Sequence, residues 1–222
     1  MSEDHIPSVS PFRALVSREE WAGLTSHRLQ TYLPGEALLT QGDEGTHVLA
    51  LVEGLVKVVR SDRDGRKRLL AFRGPGEILG EMALQCGGER LASVWAMSKC
   101  KASVVLPEEF RRFVSDHKLA DRLAVMATHR LREQTEVHDG AVHERLAMAL
   151  LRLVEVSGGR ASFPLTREQL AQHIDVGRKA VTKALDELGP DMVRAGNRRI
   201  DVVSVERLRK AITGPRGHVS KV

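Results

Sequence analysis

Residues 165–190 read LTREQLAQHIDVGRKAVTKALDELGP. Thr166 followed three residues later by Gln169 opens a helix, because hydroxyl and amide each satisfy a backbone N–H that a first turn leaves orphaned. That helix runs to about His173. Ile174, Asp175, Val176 and Gly177 make a turn, and a second helix spans Arg178 to Leu188 before Gly189 and Pro190 end it. Val181, Ala184, Leu185 and Leu188 share one face of the second helix, which leaves Arg178, Lys179, Thr182, Lys183 and Asp186 on the other. This is a helix-turn-helix with cations at the N-terminal end of its second helix, the end that such motifs direct at base edges.

The residues that follow extend the surface. Met192–Arg194 and Ile200–Val203 read as two short strands around a basic tip, Ala195 to Arg199, which makes a β-hairpin wing. Ser204 caps a last helix carrying Leu208 and Ile212. The expected division of labour follows from donor geometry. Arg178 suits a bidentate contact with guanine O6 and N7, and Lys179 and Lys183 read guanine or hold phosphates beside Thr182. Thr166 and Arg167, at a helix start, and Arg198 and Arg199, on the wing, are expected at backbone phosphates.

The charge distribution agrees. The net charge is +5. Residues 1–140 hold 19 Lys and Arg against 20 Asp and Glu, whereas residues 141–222 hold 15 against 9, so the whole excess sits in the C-terminal part. Such asymmetry suits a module that meets a polyanion.

Outward from that module the pattern changes twice. From about residue 30 to 106, short runs rich in Val, Leu and Ala alternate with breakers such as Gly35, Gly42, Gly54, Gly65 and the Gly74-Pro75-Gly76 group. Val48–Val52, Leu55–Val59, Arg68–Phe72, Ser93–Ala96 and Ala102–Leu106 read as strands of an all-β roll, barrel or sandwich. Further back, Ser17 with Glu20 opens a short helix carrying Trp21 and Leu24. After Pro107, the stretch Asp116 to His138 has no Gly or Pro, and Leu119, Leu123, Ala127 and Leu131 recur every four residues. A narrow stripe on one long helix predicts a seam against a second copy. Asp139-Gly140 is the expected hinge, and Val142 to Val154 form another amphipathic helix. The expected organisation is a sensor domain over 1–115, a dimerisation helix and hinge over 116–139, and a DNA-binding domain over 140–222.

Several classes drop out. The longest apolar run, Leu146 to Leu151, is six residues against the roughly 20 a membrane span needs. Glu3 and Asp4 stand where a signal peptide would carry positive charge, so a reduced, cytoplasmic setting is expected. Two cysteines, Cys86 and Cys100, exclude a disulfide framework and a four-cysteine metal or iron–sulfur site. A redox role for Cys86, between Gln85 and the glycines 87 and 88, stands as a minor expectation. The Gly74-Pro75-Gly76 and Gly80 series lacks the third glycine and the βαβ frame of a dinucleotide loop. No metal-ligand spacing and no nucleophile–base pair stands out, so neither a metal site nor an enzyme is expected.

The order of parts resembles the cyclic-AMP receptor protein/FNR (Crp/Fnr) family of transcription regulators over about residues 12–212. The resemblance rests on Leu33-Pro34-Gly35-Glu36 with Gln41-Gly42, on Gly54, on residues 74–81 (GPGEILGE) and on the helix-turn-helix. It implies an α+β chain: an N-terminal β-roll (a double-stranded β-helix of the cyclic-nucleotide-binding type), a long dimerisation helix and a C-terminal winged helix-turn-helix. It also implies a ligand site. Gly80 and Glu81 match a pair that meets a ribose hydroxyl, and Arg90 matches the cation for the phosphate. Leu91 stands where a serine is expected, and Gln134 and Thr135 stand where a Thr-Ser pair addresses the base. A purely structural reading of Glu81 and Arg90 is a salt bridge that closes the roll. Lysine at 179, where relatives carry glutamate, implies a different target base pair.

The function expected is a homodimeric regulator of palindromic DNA, controlled by cyclic AMP, by another cyclic nucleotide or small ligand, or by none, with RNA polymerase as a further partner and no membrane association. The rival is a small-molecule-binding β-roll protein whose helical tail mediates protein contacts.

Overall fold

The computed structural model describes residues 11–26, 28–136 and 140–213, without the side chains at 86, 134–136 and 213. The described residues form two compact units, one holding residues 11–136 together with 153–160, the other residues 140–152 and 161–213.

The first unit begins with α1 (Arg18–Thr25), opened by the expected capping box: the Glu20 N–H donates to Ser17 Oγ at 3.1 Å and the Ser17 N–H to Glu20 Oε2 at 2.6 Å. Eight strands follow, β1 (Arg28–Tyr32), β2 (Ala37–Leu39), β3 (Val48–Glu53), β4 (Val56–Ser61), β5 (Lys67–Arg73), β6 (Ile78–Leu79), β7 (Ser93–Ala96) and β8 (Cys100–Val105), with α2 (Glu81–Cys86) between β6 and β7. They pair as two antiparallel sheets in the orders β1-β8-β3-β6 and β2-β7-β4-β5. Strand β3 is buried on both faces, and its alternation sorts two cores. Leu49 and Leu51 join Tyr32, Leu39, Val56, Leu79, Val94 and Ala102 between the sheets. Val48 and Ala50 turn the other way, onto a cluster with Phe12, Leu24, Ile78, Val105 and Phe110.

Helices α3 (Pro107–Asp116) and α4 (Ala120–Glu136) supply the rest of that second core. The continuous helix expected from Asp116 is therefore corrected. A break falls at His117–Leu119, where Lys118 adopts φ 53°. The Leu119 N–H donates to Val114 O at 2.9 Å and the Lys118 N–H to Ser115 O at 3.1 Å. That is the Schellman stop, made here without glycine and sealed by the apolar Leu119. The seam residues are corrected too. Leu119 and Leu123 are buried in the roll's own core beside Met126. The four-residue stripe was real, but its first half marks the face that covers the sheet.

The second unit carries α5 (Val142–Val156, shared with the first unit at its end), β9 (Ser162–Phe163), α6 (Arg167–His173), α7 (Arg178–Leu188), β10 (Val193–Ala195), β11 (Ile200–Val202) and α8 (Val205–Thr213). The wing is a three-stranded sheet in the order β10-β11-β9, in which β9 is an addition to the expected hairpin. Phe163, Leu165, Leu170, Ile174, Val181, Ala184, Leu185, Leu188, Ile200 and Leu208 are all buried. Asp175 takes φ 47° in the turn between α6 and α7, a left-handed position that aspartate tolerates.

One glycine tests the roll. Gly54 has φ +100°, and a Cβ there would lie 2.5 Å from Cys100 Sγ and 2.6 Å from the Lys99 carbonyl oxygen. Gly54→Ala should lower the unfolding free energy by about 1–3 kcal/mol from the backbone strain alone, with the clash adding to it. Chemical denaturation would measure this, and an unchanged midpoint would contradict the packing described.

Candidate ligand cavity and nucleic-acid interface

A cavity of about 260 Å³ opens in the first unit between β4, β5, the α2 turn, β7 and α4. Its walls are mostly apolar, with Val58, Leu70, Leu79, Val94 and Ala127 among them, and three exposed side chains, Met82, Leu91 and Leu131, stand around it. Four guanidiniums also line it, from Arg60, Arg73, Arg90 and Arg130.

The residues singled out from the sequence meet here, in a different pairing. Glu81 is buried, and its ion-pair partner is Arg130 of α4. Arg130 also reaches Glu77 Oε2 at 2.8 Å and donates to the Ile78 carbonyl at 3.2 Å. Arg90 instead donates to the backbone carbonyls of Gly80 at 2.7 Å and His47 at 2.5 Å. In place of the alternative reading, a Glu81–Arg90 salt bridge, stand two separate devices: a carboxylate tied to the helix, and a guanidinium buttoning two loops together. Gly80 is needed for the second, because a Cβ there would collide with the Arg90 guanidinium. Burial presses the Arg90 guanidinium below its ordinary range, and Glu81 and Asp43 oppose that. Leu91 is exposed beside it and offers no hydrogen bond. The side chains of Gln134 and Thr135 lie outside those described, as does that of Cys86.

Arg73 on the cavity wall belongs to a pair that the strand and helix patterns concealed. Arg73, the last residue of β5, and Glu133, in the last turn of α4, are both buried and bonded side by side, at 3.0 and 2.7 Å. Burial alone would lower the pKa of the Arg73 guanidinium. Glu133, with Glu77 and Glu81 beyond, outweighs it and raises the pKa. Arg73, Glu77, Arg130 and Glu133 were missed because each reads as an ordinary surface charge. The available signal was Arg73 at the end of a strand, directly after the apolar Ala71 and Phe72.

In the second unit the basic face is where the period placed it. Arg178, Lys179, Thr182 and Lys183 are exposed, and Val181, Ala184, Leu185 and Leu188 are buried beneath them. The Thr182 hydroxyl donates back to the Arg178 carbonyl at 3.2 Å, and Lys183 lies 3.7 Å from Glu187 one turn on. Arg198 is exposed at the wing tip, and Arg199 donates to Asp201 Oδ1 at 2.7 Å. Asp201 is held below the usual carboxylate range by a hydrogen bond from Ser162 and then by Arg199.

Two sequence expectations change character. Thr166 is committed to its helix: its hydroxyl accepts the Gln169 N–H at 3.1 Å, and its own N–H donates to Gln169 Oε1 at 3.0 Å. Arg167 reaches across to the wing, donating to the carbonyls of Ala195 at 3.0 Å and Gly196 at 3.1 Å. Among the described residues no group of three or more His, Cys, Asp or Glu is placed to hold a metal ion, and no helix is long and apolar enough to cross a membrane.

Known proteins resemble this chain over both regions. Residues 29–117 match the family model described as a cyclic nucleotide-binding domain, and residues 144–211 that described as a Crp-like helix-turn-helix domain. The chain is 30% identical to the cyclic AMP receptor protein of Thermus thermophilus, over 91% of this chain and 96% of that one. It is 26% identical to a CRP-like cAMP-activated global transcriptional regulator of Mycobacterium tuberculosis, over 79% and 84% of the two chains. A solved CRP-family transcriptional regulator, also from Thermus thermophilus, superposes with a TM-score of 0.68 at 24% identity, covering 83% of this chain and 96% of that one, and so shares the fold.

Removing Glu133 should leave Arg73 charged and buried without its carboxylate. Glu133→Ala is expected to cost about 3–5 kcal/mol of unfolding free energy, and the double replacement Arg73→Met with Glu133→Leu much less. Urea titrations of both would check this; equal losses would mean that the pair is not the compensating unit.

Proposed function

We propose that this chain, which belongs to the Crp/Fnr family of transcription regulators, grips duplex DNA as a homodimer and carries a cyclic-nucleotide site in the roll. The observation that carries the DNA reading is the second helix of the helix-turn-helix, four buried apolar residues holding Arg178, Lys179, Thr182 and Lys183 on one rigid exposed face. Arg178 reads a guanine, Lys179 and Lys183 read guanine or hold phosphates, and Arg198 and Arg199 meet the backbone from the wing. Two such helices related by a two-fold axis call for a palindromic site with half-sites one helical turn apart.

The dimer seam belongs on the solvent-exposed side of α4. Val125 and Leu131 are exposed there at 56% and 66%, and Thr128 lies between them in sequence. Among the expected stripe only Leu131 remains available to it. The helical tail as a mere protein-docking element is the weaker reading, because it leaves the aligned cations unexplained. RNA polymerase is a further partner of this reading, the setting is cytoplasmic, and the chain performs no catalysis.

In the cavity, Glu81 is the acceptor for a ribose hydroxyl and Arg90 the cation for a cyclic phosphate. The donor set fits: carboxylate and guanidinium line one cavity, whose apolar walls suit a base. The names of the relatives point to cyclic AMP. Leu91 removes one donor to the phosphate, so the affinity should be reduced relative to a chain with serine there.

Two measurements test these readings. Sequences selected from random DNA should be palindromic and bind two chains per duplex. Arg178→Ala should cost about 1–3 kcal/mol on the selected site and relax preference at one base pair, with little loss on random DNA. Equal losses on both would make Arg178 a phosphate contact only. In calorimetry, cyclic AMP should release or absorb heat on binding, and Leu91→Ser should tighten it about tenfold, the worth of a hydrogen bond to a charged group. No binding by either protein would remove cyclic AMP from the cavity.

A further inference from the structure

We propose that Arg167 serves DNA binding as a positioning residue, by fixing the tip of the wing rather than by holding a phosphate itself. The inference rests on the reading that the wing meets the backbone. Its ground is the balance of forces on a very short hairpin. Strands β10 and β11 pair over three residues each, and β9 adds two. Val193, Ile200 and Val202 are buried and anchor the base of the hairpin. The tip has no such anchor: residues 196–199 are all exposed, closed by the bond from the Gly196 N–H to the Arg199 carbonyl at 2.8 Å.

Arg167 provides what the tip lacks. It is the first residue of α6, and the Thr166–Gln169 capping box beside it makes that end of the helix a fixed point. Its side chain is half-buried, and its two terminal nitrogens donate to two successive carbonyls, those of Ala195 and Gly196. A planar guanidinium can bridge two adjacent acceptors as a fork, and such charge-assisted bonds are stronger than neutral ones. The lysine ammonium is a point charge and cannot reproduce the fork. The grip lies two and three residues before Arg198, the exposed cation of the tip. Arg167 therefore sets where Arg198 stands relative to α6, and through the packed α6–α7 pair, relative to the reading helix.

The experiment compares Arg167→Lys, Arg167→Ala, Arg198→Ala and the Arg167→Lys/Arg198→Ala double variant in the full-length chain, on one selected duplex over a range of salt. A positioning role predicts that Arg167→Lys loses as much affinity as Arg167→Ala, about tenfold, although the charge is kept. It also predicts that the lysine change costs clearly less once Arg198 is gone, because part of its effect acts through that contact. Hydrogen exchange of the amides at 196–199 should quicken in the lysine variant, with the thermal midpoint of the chain little changed. A lysine variant that binds like the parent would identify a plain phosphate contact and overturn the proposal. Strictly additive losses would overturn it as well while leaving the wing on the DNA. An Arg198→Ala variant with unchanged affinity and salt slope would instead remove the wing reading, and the proposal with it.

Discussion

Helix α4 is held to the roll at its two ends by different forces, and the sensing half of the molecule depends on that division. At its start, Leu119, Leu123 and Met126 complete the apolar cluster that Val48 and Ala50 begin on the outer face of β3. Farther along, the attachment is ionic: Arg130 to Glu77 and Glu81, then Glu133 to Arg73. Apolar contact tolerates small slides, whereas a buried guanidinium with two fixed acceptors does not. The end of α4 that approaches residue 136 is therefore the end whose placement is specified most narrowly, and it is also the part that lines the cavity.

This arrangement explains why some of the molecule was legible in the sequence and some was not. Capping boxes at Ser17 and Thr166 are local, so their partners are three residues away and visible in any reading. The face of α7 follows from a period of 3.6 and needs no tertiary information. The stripe on α4 was equally visible, but periodicity states only that a face is buried and not against what. Leu119 and Leu123 went to the roll, and the break at Lys118 was invisible because nothing in its side chain announces a left-handed φ. The ionic lattice was out of reach for a third reason. Arg73 and Glu133 are 60 residues apart, and a charge at either position alone is most economically read as solvated.

On the basic face of the second unit the same contrast holds between side chains left exposed and side chains already bonded within the protein. Arg178, Lys179 and Arg198 have exposed side chains, while Thr166 is consumed by its helix cap and Arg167 by the wing tip. From sequence all five are expected at DNA, Arg178 at a base, Lys179 at a base or a phosphate, and Thr166, Arg167 and Arg198 at backbone phosphates. Hydrogen-bond geometry divides them. A donor already bonded to a carbonyl gives up that bond if it turns to a phosphate, so its net gain from DNA is smaller than that of a solvated cation. Arg199, bridged to Asp201, falls between the two groups.

The cavity obeys the same bookkeeping. A ligand there does not meet bare charges. Glu81 already has Arg130, and Arg90 already has two carbonyls. A ribose hydroxyl that donates to Glu81 must share the carboxylate with Arg130, and a phosphate that attracts Arg90 competes with the loops it buttons together. Binding energy in such a site is a difference between two satisfied arrangements. Ligand and Arg130 would compete for Glu81, and Arg130 stands one turn before Glu133 on the same helix. A ligand can shift α4 only by as much as it prefers one set of partners over the other. The lattice makes that preference finite, because each bond formed to the ligand is weighed against one already present in the empty protein.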